Sequence, residues 1–273
     1  MLIQNHKLVA ETGEQAVPFL DSPNKSGTIN PKYLVIHYTA GRSAQSSIDW
    51  FMNPQAQASA HLVIGTDGKI TQMVPFNKKA FHAGKSKWSG LNGMNSHSIG
   101  IELDNPGILM KTGSKWIAWF GKEYPASVVI EAKHKHQDTA AGWHIFTEKQ
   151  IEACIKASKL LVTHYQLADI LGHEDISPFR KVDPGPAFPM ESFKSKVLGR
   201  EDDAADIFKV KVDDTNLRSG GGTGFAMLAK LKKGTKVEFI RNNASWYNVF
   251  VVSKVQGLNE PEGWIHSSLL EKI

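Results

Sequence analysis

The chain has 273 residues, 41% of them hydrophobic, with 32 Lys and Arg against 27 Asp and Glu for a formal net charge of +5. That is globular composition with room for a sizeable core. It excludes a disordered or fibrous chain, and it lacks the clustered basic stripe of a nucleic-acid binder. A single cysteine, Cys154, excludes an intrachain disulfide and a cysteine-rich zinc site.

Residues 1–30 are polar and turn-rich and read as an N-terminal arm, without the apolar core and cleavage site of a secretory signal. That leaves two expectations for location, a cytoplasmic protein or one exported by another route. No run is long and apolar enough for a transmembrane helix, and no association stripe is evident, so a monomer is expected. Residues 33–38, Tyr-Leu-Val-Ile-His-Tyr, read as a buried strand with His37 near its end. Ser43 is an N-cap for a short helix with Ile48, Phe51 and Met52 on one side. Residues 61–75 read as a hairpin turning on Asp67-Gly68, and Ser-Ile-Gly-Ile-Glu-Leu as a strand carrying Glu102.

Residues 105–147 have no clear period and read as an irregular insertion, with His134 and His136 exposed. Thr147 and Gln150 form a capping box, and the apolar spacing predicts a helix over 148–170 that buries Cys154. Residues 171–190 have no period, a last helix follows, and the charged stretch 199–205 reads as a linker. From 206 to 273 the pattern changes to short β-branched strands with Gly-rich turns. The expected fold class is α/β, a central mixed β-sheet flanked by helices over 31–198, followed by a small all-β barrel.

The segment from His173 to Asp183 concentrates chemistry. It holds His173, Glu174, Asp175, Arg180, Lys181 and Asp183, stiffened by Pro178 and Pro184. Two imidazoles and one carboxylate are a standard set for catalytic zinc, with a fourth position for water. His37 supplies the second imidazole, although alone it fits a satisfied core histidine slightly better than a ligand. Glu102 is a candidate to take a proton from water and Lys181 to face an oxyanion; taken singly, each also fits an ordinary surface charge.

These residues resemble the zinc-dependent N-acetylmuramoyl-L-alanine amidases of the type-2 kind. The matching stretches are YLVIHYTAG (33–41), SAHLVIGTDGKITQMVP (59–75), AFHAGKSKWSG (80–90), NSHSIGIELDN (95–105) and LGHEDISPFRKVDPGPAFP (171–189). The resemblance implies one Zn2+ on His37, His173 and Asp183, water activation by Glu102 and transition-state support from Lys181. It further implies cleavage between N-acetylmuramic acid and L-alanine in peptidoglycan or muropeptides. His82 and Trp88 match groove-wall positions that contact substrate; His61 and Asn95 are further substrate-binding candidates, although His61 fits a core residue better and Asn95 a support for the Glu102 strand. Ala60 stands where the phage T7 branch carries a tyrosine, which favours the branch that relies on Glu102.

In the tail, TNLRSGGGTGFAMLAKLKKGTKVEFI (215–240) and EGWIHSSLLE (262–271) resemble a bacterial SH3 domain, which implies cell-wall binding with Trp246 and Tyr247 as the aromatic candidates. Two other functions fit the same fold. One is a recognition protein that binds wall fragments without cutting. The other is a recycling amidase for soluble anhydro-muropeptides.

Overall fold

Leu34, Val35 and Ile36 offer no polar face to water, so their strand must be covered on both sides. In the computed structural model, which describes residues 1–198, 207–253, 255–258 and 261–273, they lie fully buried in an interior strand of a five-stranded sheet. The chain divides into two compact units, one of Met1–Gly107 with Phe146–Gly185, the other of Ile108–Ile145 with Pro186–Ile273.

The sheet of the first unit contains β1 (Tyr33–Tyr38), β2 (Leu62–Ile64), β3 (Ile70–Gln72), β4 (Ser98–Leu103) and β5 (Asp169–Gly172), in the order β5-β1-β4-β2-β3. The pairs β5-β1, β1-β4 and β4-β2 are parallel, and β2-β3 is the antiparallel hairpin, so the sheet is mixed as the pattern predicts. Helix α1 (Ala44–Met52) starts at Ser43, whose side chain accepts from the Ser46 amide. Ile48 and Phe51 are buried with Val63 and Met73, whereas Met52 lies on the exposed side, a correction to the expected apolar face.

Helix α2 (Glu148–Tyr165) has the expected capping box of Thr147 and Gln150. It ends five residues before the predicted 170, at Gln166 in left-handed conformation (φ 51°). The following residues are needed as β5, and a helix cannot supply a strand edge to β1. Helix α3 (His173–Ile176) begins directly where β5 stops. The N-terminal arm is not loose: Lys25–Thr28 pairs with Lys78–Ala80, and Leu2–Gln4 pairs with Lys7–Val9.

In the second unit, residues 108–144 form a five-stranded antiparallel sheet where the sequence suggests irregular chain. Its strands are two to five residues long and broken by turns, too short to carry a legible period. His134, expected exposed, is 2% exposed and stacks on Trp143 with 5.8 Å between ring centroids. His136, also expected exposed, is half-buried beside it. Helix α4 (Met190–Leu198) precedes the barrel, and the expected linker at 199–205 lies outside the described residues.

The C-terminal region is a seven-stranded antiparallel sheet around Val210, Leu217, Leu231, Val237, Val249 and Ile265. The sheet alternation divides its aromatics. Tyr247 packs against the core with Phe239 (4.9 Å) and Phe208 (5.5 Å), which gives its ring a packing role. Trp246 points the other way and meets His266 edge to face at 5.4 Å.

Candidate metal centre

The centre sits at the C-terminal ends of adjacent parallel strands, where side chains leave the sheet. His37 is near the end of β1 and pairs in register with Glu102 of β4, so the two side chains emerge on the same face. On the other side of β1, β5 stops at Gly172 and passes into α3, which places His173 beside His37. A side chain on Gly172 would meet Pro184 Cδ at 2.8 Å, so glycine lets the loop fold back tightly. The Glu174 amide donates to the Asp183 carbonyl (2.9 Å) and Glu174 Oε2 accepts from the Gly185 amide (3.2 Å). These bonds hold Asp183 over the start of α3.

His37 Nδ1, His173 Nδ1 and Asp183 Oδ2 form a nearly equilateral triangle, with edges of 3.0, 2.9 and 2.9 Å. All three residues are buried. A tetrahedral ion with bonds of about 2.0–2.1 Å separates its ligands by about 3.3 Å, close to these edges. The protonation pattern makes the same point. His173 Nε2 lies 3.1 Å from the Ala83 carbonyl, which only accepts, so the ring proton is on Nε2 and Nδ1 presents a lone pair.

His37 follows the same logic through one more residue. Ser98 Oγ donates to the Met94 carbonyl (2.6 Å) and accepts from His82 Nε2 (3.4 Å), and His82 Nδ1 then accepts from His37 Nε2 (3.0 Å). Three lone-pair donors thus converge on one point. A cation there would satisfy all of them, and these three residues can hold a metal ion.

The electrostatics of His37 and Asp183 favour forms that can bind a cation. Burial, and then the neighbouring His173, drive the His37 imidazole down to about 4, so it is neutral near pH 7. Burial alone would raise the Asp183 carboxyl, but hydrogen bonding and charge from the His173 and His37 rings, when Nδ1 carries a proton, outweigh it and hold the carboxyl below the usual range. The Glu102 carboxyl is pushed well up by burial and then by Asp183, with Lys181 pulling the other way. Its Oε2 is buried with no hydrogen-bond partner, an acceptor held ready beside the cluster.

The remaining predicted residues separate into distinct positions. His61 is fully buried, its Nδ1 accepting from the Gly100 amide (3.0 Å) and its Nε2 donating to the Lys78 carbonyl (2.9 Å). Both nitrogens are used inside the core, so it has no face left for substrate. Asn95 Oδ1 accepts from the His82 and Ala83 amides (3.0 and 2.6 Å) and shapes the chain that carries them. His82, expected on a groove wall, is buried behind His37. Trp88 is half-buried against the cluster of Val35, Ala83, Met94, Leu171 and Ile176.

Sequence reasoning missed Ser98 and the role of His82. The signal was Gly100, whose added Cβ would strike the His82 ring at 2.5 Å. Glycine there lets the imidazole lie on β4.

Residues 27–186 match the family model of N-acetylmuramoyl-L-alanine amidase. The chain belongs to this family. Residues 213–271 match the bacterial SH3 domain, in accord with the all-β C-terminal sheet. Among curated relatives, N-acetylmuramoyl-L-alanine amidase AmiD of Escherichia coli (strain K12) is 34% identical over 63% of this chain. The match spans 55% of AmiD's own length.

The 1,6-anhydro-N-acetylmuramyl-L-alanine amidase AmpD of Citrobacter freundii is 30% identical over 72% of this chain and 80% of its own. A crystal structure of an AmpD derivative superposes with a TM-score of 0.49 at 27% identity, covering 72% of this chain and 99% of the other. AmiD in complex with an anhydro-muramyl tripeptide gives a TM-score of 0.48 at 29% identity, covering 69% of this chain and 65% of the other. In this member of the amidase family the buried His37, His173 and Asp183 cluster could hold a metal ion.

Proposed function

We propose that this chain is a zinc-dependent hydrolase of the amide between the lactyl group of N-acetylmuramic acid and L-alanine, in peptidoglycan or muropeptides. The observation that carries the reading is the triangle of His37 Nδ1, His173 Nδ1 and Asp183 Oδ2, with the unpartnered Oε2 of Glu102 beside it. A binding protein has no need of a buried carboxylate without a hydrogen-bond partner, because burying one costs about 1–3 kcal/mol. An enzyme that moves a proton does.

Zinc, when bound, supplies Lewis acidity toward the scissile carbonyl and makes water acidic enough to lose a proton near neutral pH. The chain's own groups do the rest. His82 and the Ala83 carbonyl hold the two imidazoles in the tautomer with Nδ1 unprotonated. Glu102 takes a proton from the attacking water as its oxygen bonds to the carbonyl carbon, then passes it to the alanine nitrogen as the C–N bond breaks. Its raised proton affinity suits both halves of that transfer. Lys181, whose charge is felt at Glu102 and His37, is the cation for the developing oxyanion.

The SH3-like region is read as a tether to the wall, which raises the local concentration of the catalytic unit on an insoluble polymer. Trp246, on the outer face beside His266, is the residue assigned to that contact. The test of the whole reading is digestion of sacculi and of soluble anhydro-muropeptides, with mass analysis of products before chelation, after chelation and after zinc is restored. Cleavage that tracks zinc supports it. A zinc-loaded protein that binds these substrates and leaves them whole refutes it.

A further inference from the structure

Next to the metal cluster the first unit holds a groove of about 680 Å³, whose lining includes Lys85, Lys87, Asn92, Ser177 and Arg180. It shares a wall with the cluster. The Ala83 carbonyl accepts from His173 Nε2 and also from Arg180 Nη2, both at 3.1 Å. Arg180 Nη2 donates further to the Lys85 carbonyl and to Ser177 Oγ, each at 2.7 Å, and Ser177 Oγ donates to the Lys85 carbonyl at 2.6 Å. These bonds fasten the 83–87 loop to the turn after α3 and fix the guanidinium in place. Gly84, at φ +54°, leaves that guanidinium lying on bare backbone, since an added Cβ would stand 3.5 Å from Nη2.

Lys85, Lys87 and Arg180 give the groove three cations, and among the described residues no Asp or Glu lines it. That charge has to be matched to one side of the scissile amide. The sugar side carries hydroxyl and acetamide groups, and its lactyl carboxyl is consumed in the amide itself. The peptide side carries free carboxylates. We propose that this groove receives the stem peptide, and that Lys85, Lys87 and Arg180 select stems with free carboxylates over stems in which these are amidated. The inference rests on the amidase reading above and adds the substrate class within it. The lysines are exposed, so they act through field and solvent-separated contact more than through buried pairs, and salt weakens them.

The experiment uses the zinc-loaded full chain and two synthetic muramyl peptides, each with the stem L-Ala-D-γ-Glu-L-Lys, one with a free glutamate α-carboxylate and one with the α-carboxamide. The wild-type chain is expected to prefer the acid by about tenfold or more in kcat/KM, with the ratio shrinking in 0.5 M NaCl, where the Debye length is only a few ångströms. In the Lys85→Glu/Lys87→Glu chain, at unchanged zinc content, the ratio is expected to fall to about one or to invert. Equal cleavage of both probes by the wild-type chain overturns the inference and leaves the amidase reading intact, and so does a double variant that keeps the full preference. Cleavage of neither probe removes the amidase reading itself, and the inference with it.

Discussion

His37 Nε2 lies 3.0 Å from His82 Nδ1, and this contact fixes which nitrogen of His37 faces Asp183. His82 is held in turn by Ser98 and by close contact with Gly100. His37 is therefore the last member of a chain that starts on β4. His82→Ala is expected to weaken zinc binding about 10- to 100-fold, as loss of an outer-sphere partner does elsewhere. Competition against a chromogenic chelator measures it. An unchanged affinity would show that His37 is oriented without His82.

Gly100→Ala tests the same chain from the other end. The added methyl would lie 2.5 Å from the His82 ring, closer than real contacts allow, so the ring must move. Weakened zinc binding and a destabilisation of about 1–3 kcal/mol are expected, by overpacking. Chemical denaturation with and without zinc separates the two effects.

Glu102 is the proposed proton carrier, and its buried Oε2 has no hydrogen-bond partner among the described residues. Glu102→Gln is expected to keep zinc and to lose about 10²- to 10⁴-fold in kcat. The same change removes a buried, unpartnered carboxylate, so the metal-free chain is expected to gain about 1–3 kcal/mol at neutral pH. Metal content, turnover and denaturant midpoint on one preparation check all three. Full turnover would remove Glu102 from the mechanism.

In the second unit, Glu262 sits beside Glu191, and burial first, then that neighbouring charge, push its carboxyl up to about 7. The folded chain therefore holds a proton that the unfolded chain releases near 4.5. Stability from this group is complete below about 4.5 and is lost as pH rises toward 7. Glu262→Gln is expected to raise stability at pH 8 by about 2 kcal/mol and to change it little at pH 4. Thermal unfolding at the two pH values reads the difference.

Cys154 lies fully buried in α2, and burial raises its thiol to about 12. Thiol reagents are expected to leave the native chain unlabelled and active, with labelling only on unfolding. Rapid native labelling, followed by mass spectrometry, would contradict this.

The central sheet was legible because its strands are continuous apolar runs, and α1 and α2 because each begins with a side-chain cap. His173 and Asp183 were legible as candidate ligands because they lie ten residues apart in a proline-stiffened stretch. The 108–144 sheet was not, since its strands are too short to show a period and are held by cross-strand contacts such as Lys111 over Trp116. His82 and Ser98 were not, since their role depends on which strands become neighbours. The core reading of His61, which the sequence already favours, agrees with its two backbone partners from elsewhere in the fold.

The most direct test of the metal centre is a paired measurement on one sample: zinc per chain by elemental analysis, and the mass of the products from a defined muramyl peptide. One zinc per chain is expected, with a free muramyl lactyl carboxylate and a peptide with a new alanine amino terminus, and both lost together in His173→Ala. One zinc per chain with the substrate intact, or cleavage that persists in His173→Ala, would contradict it.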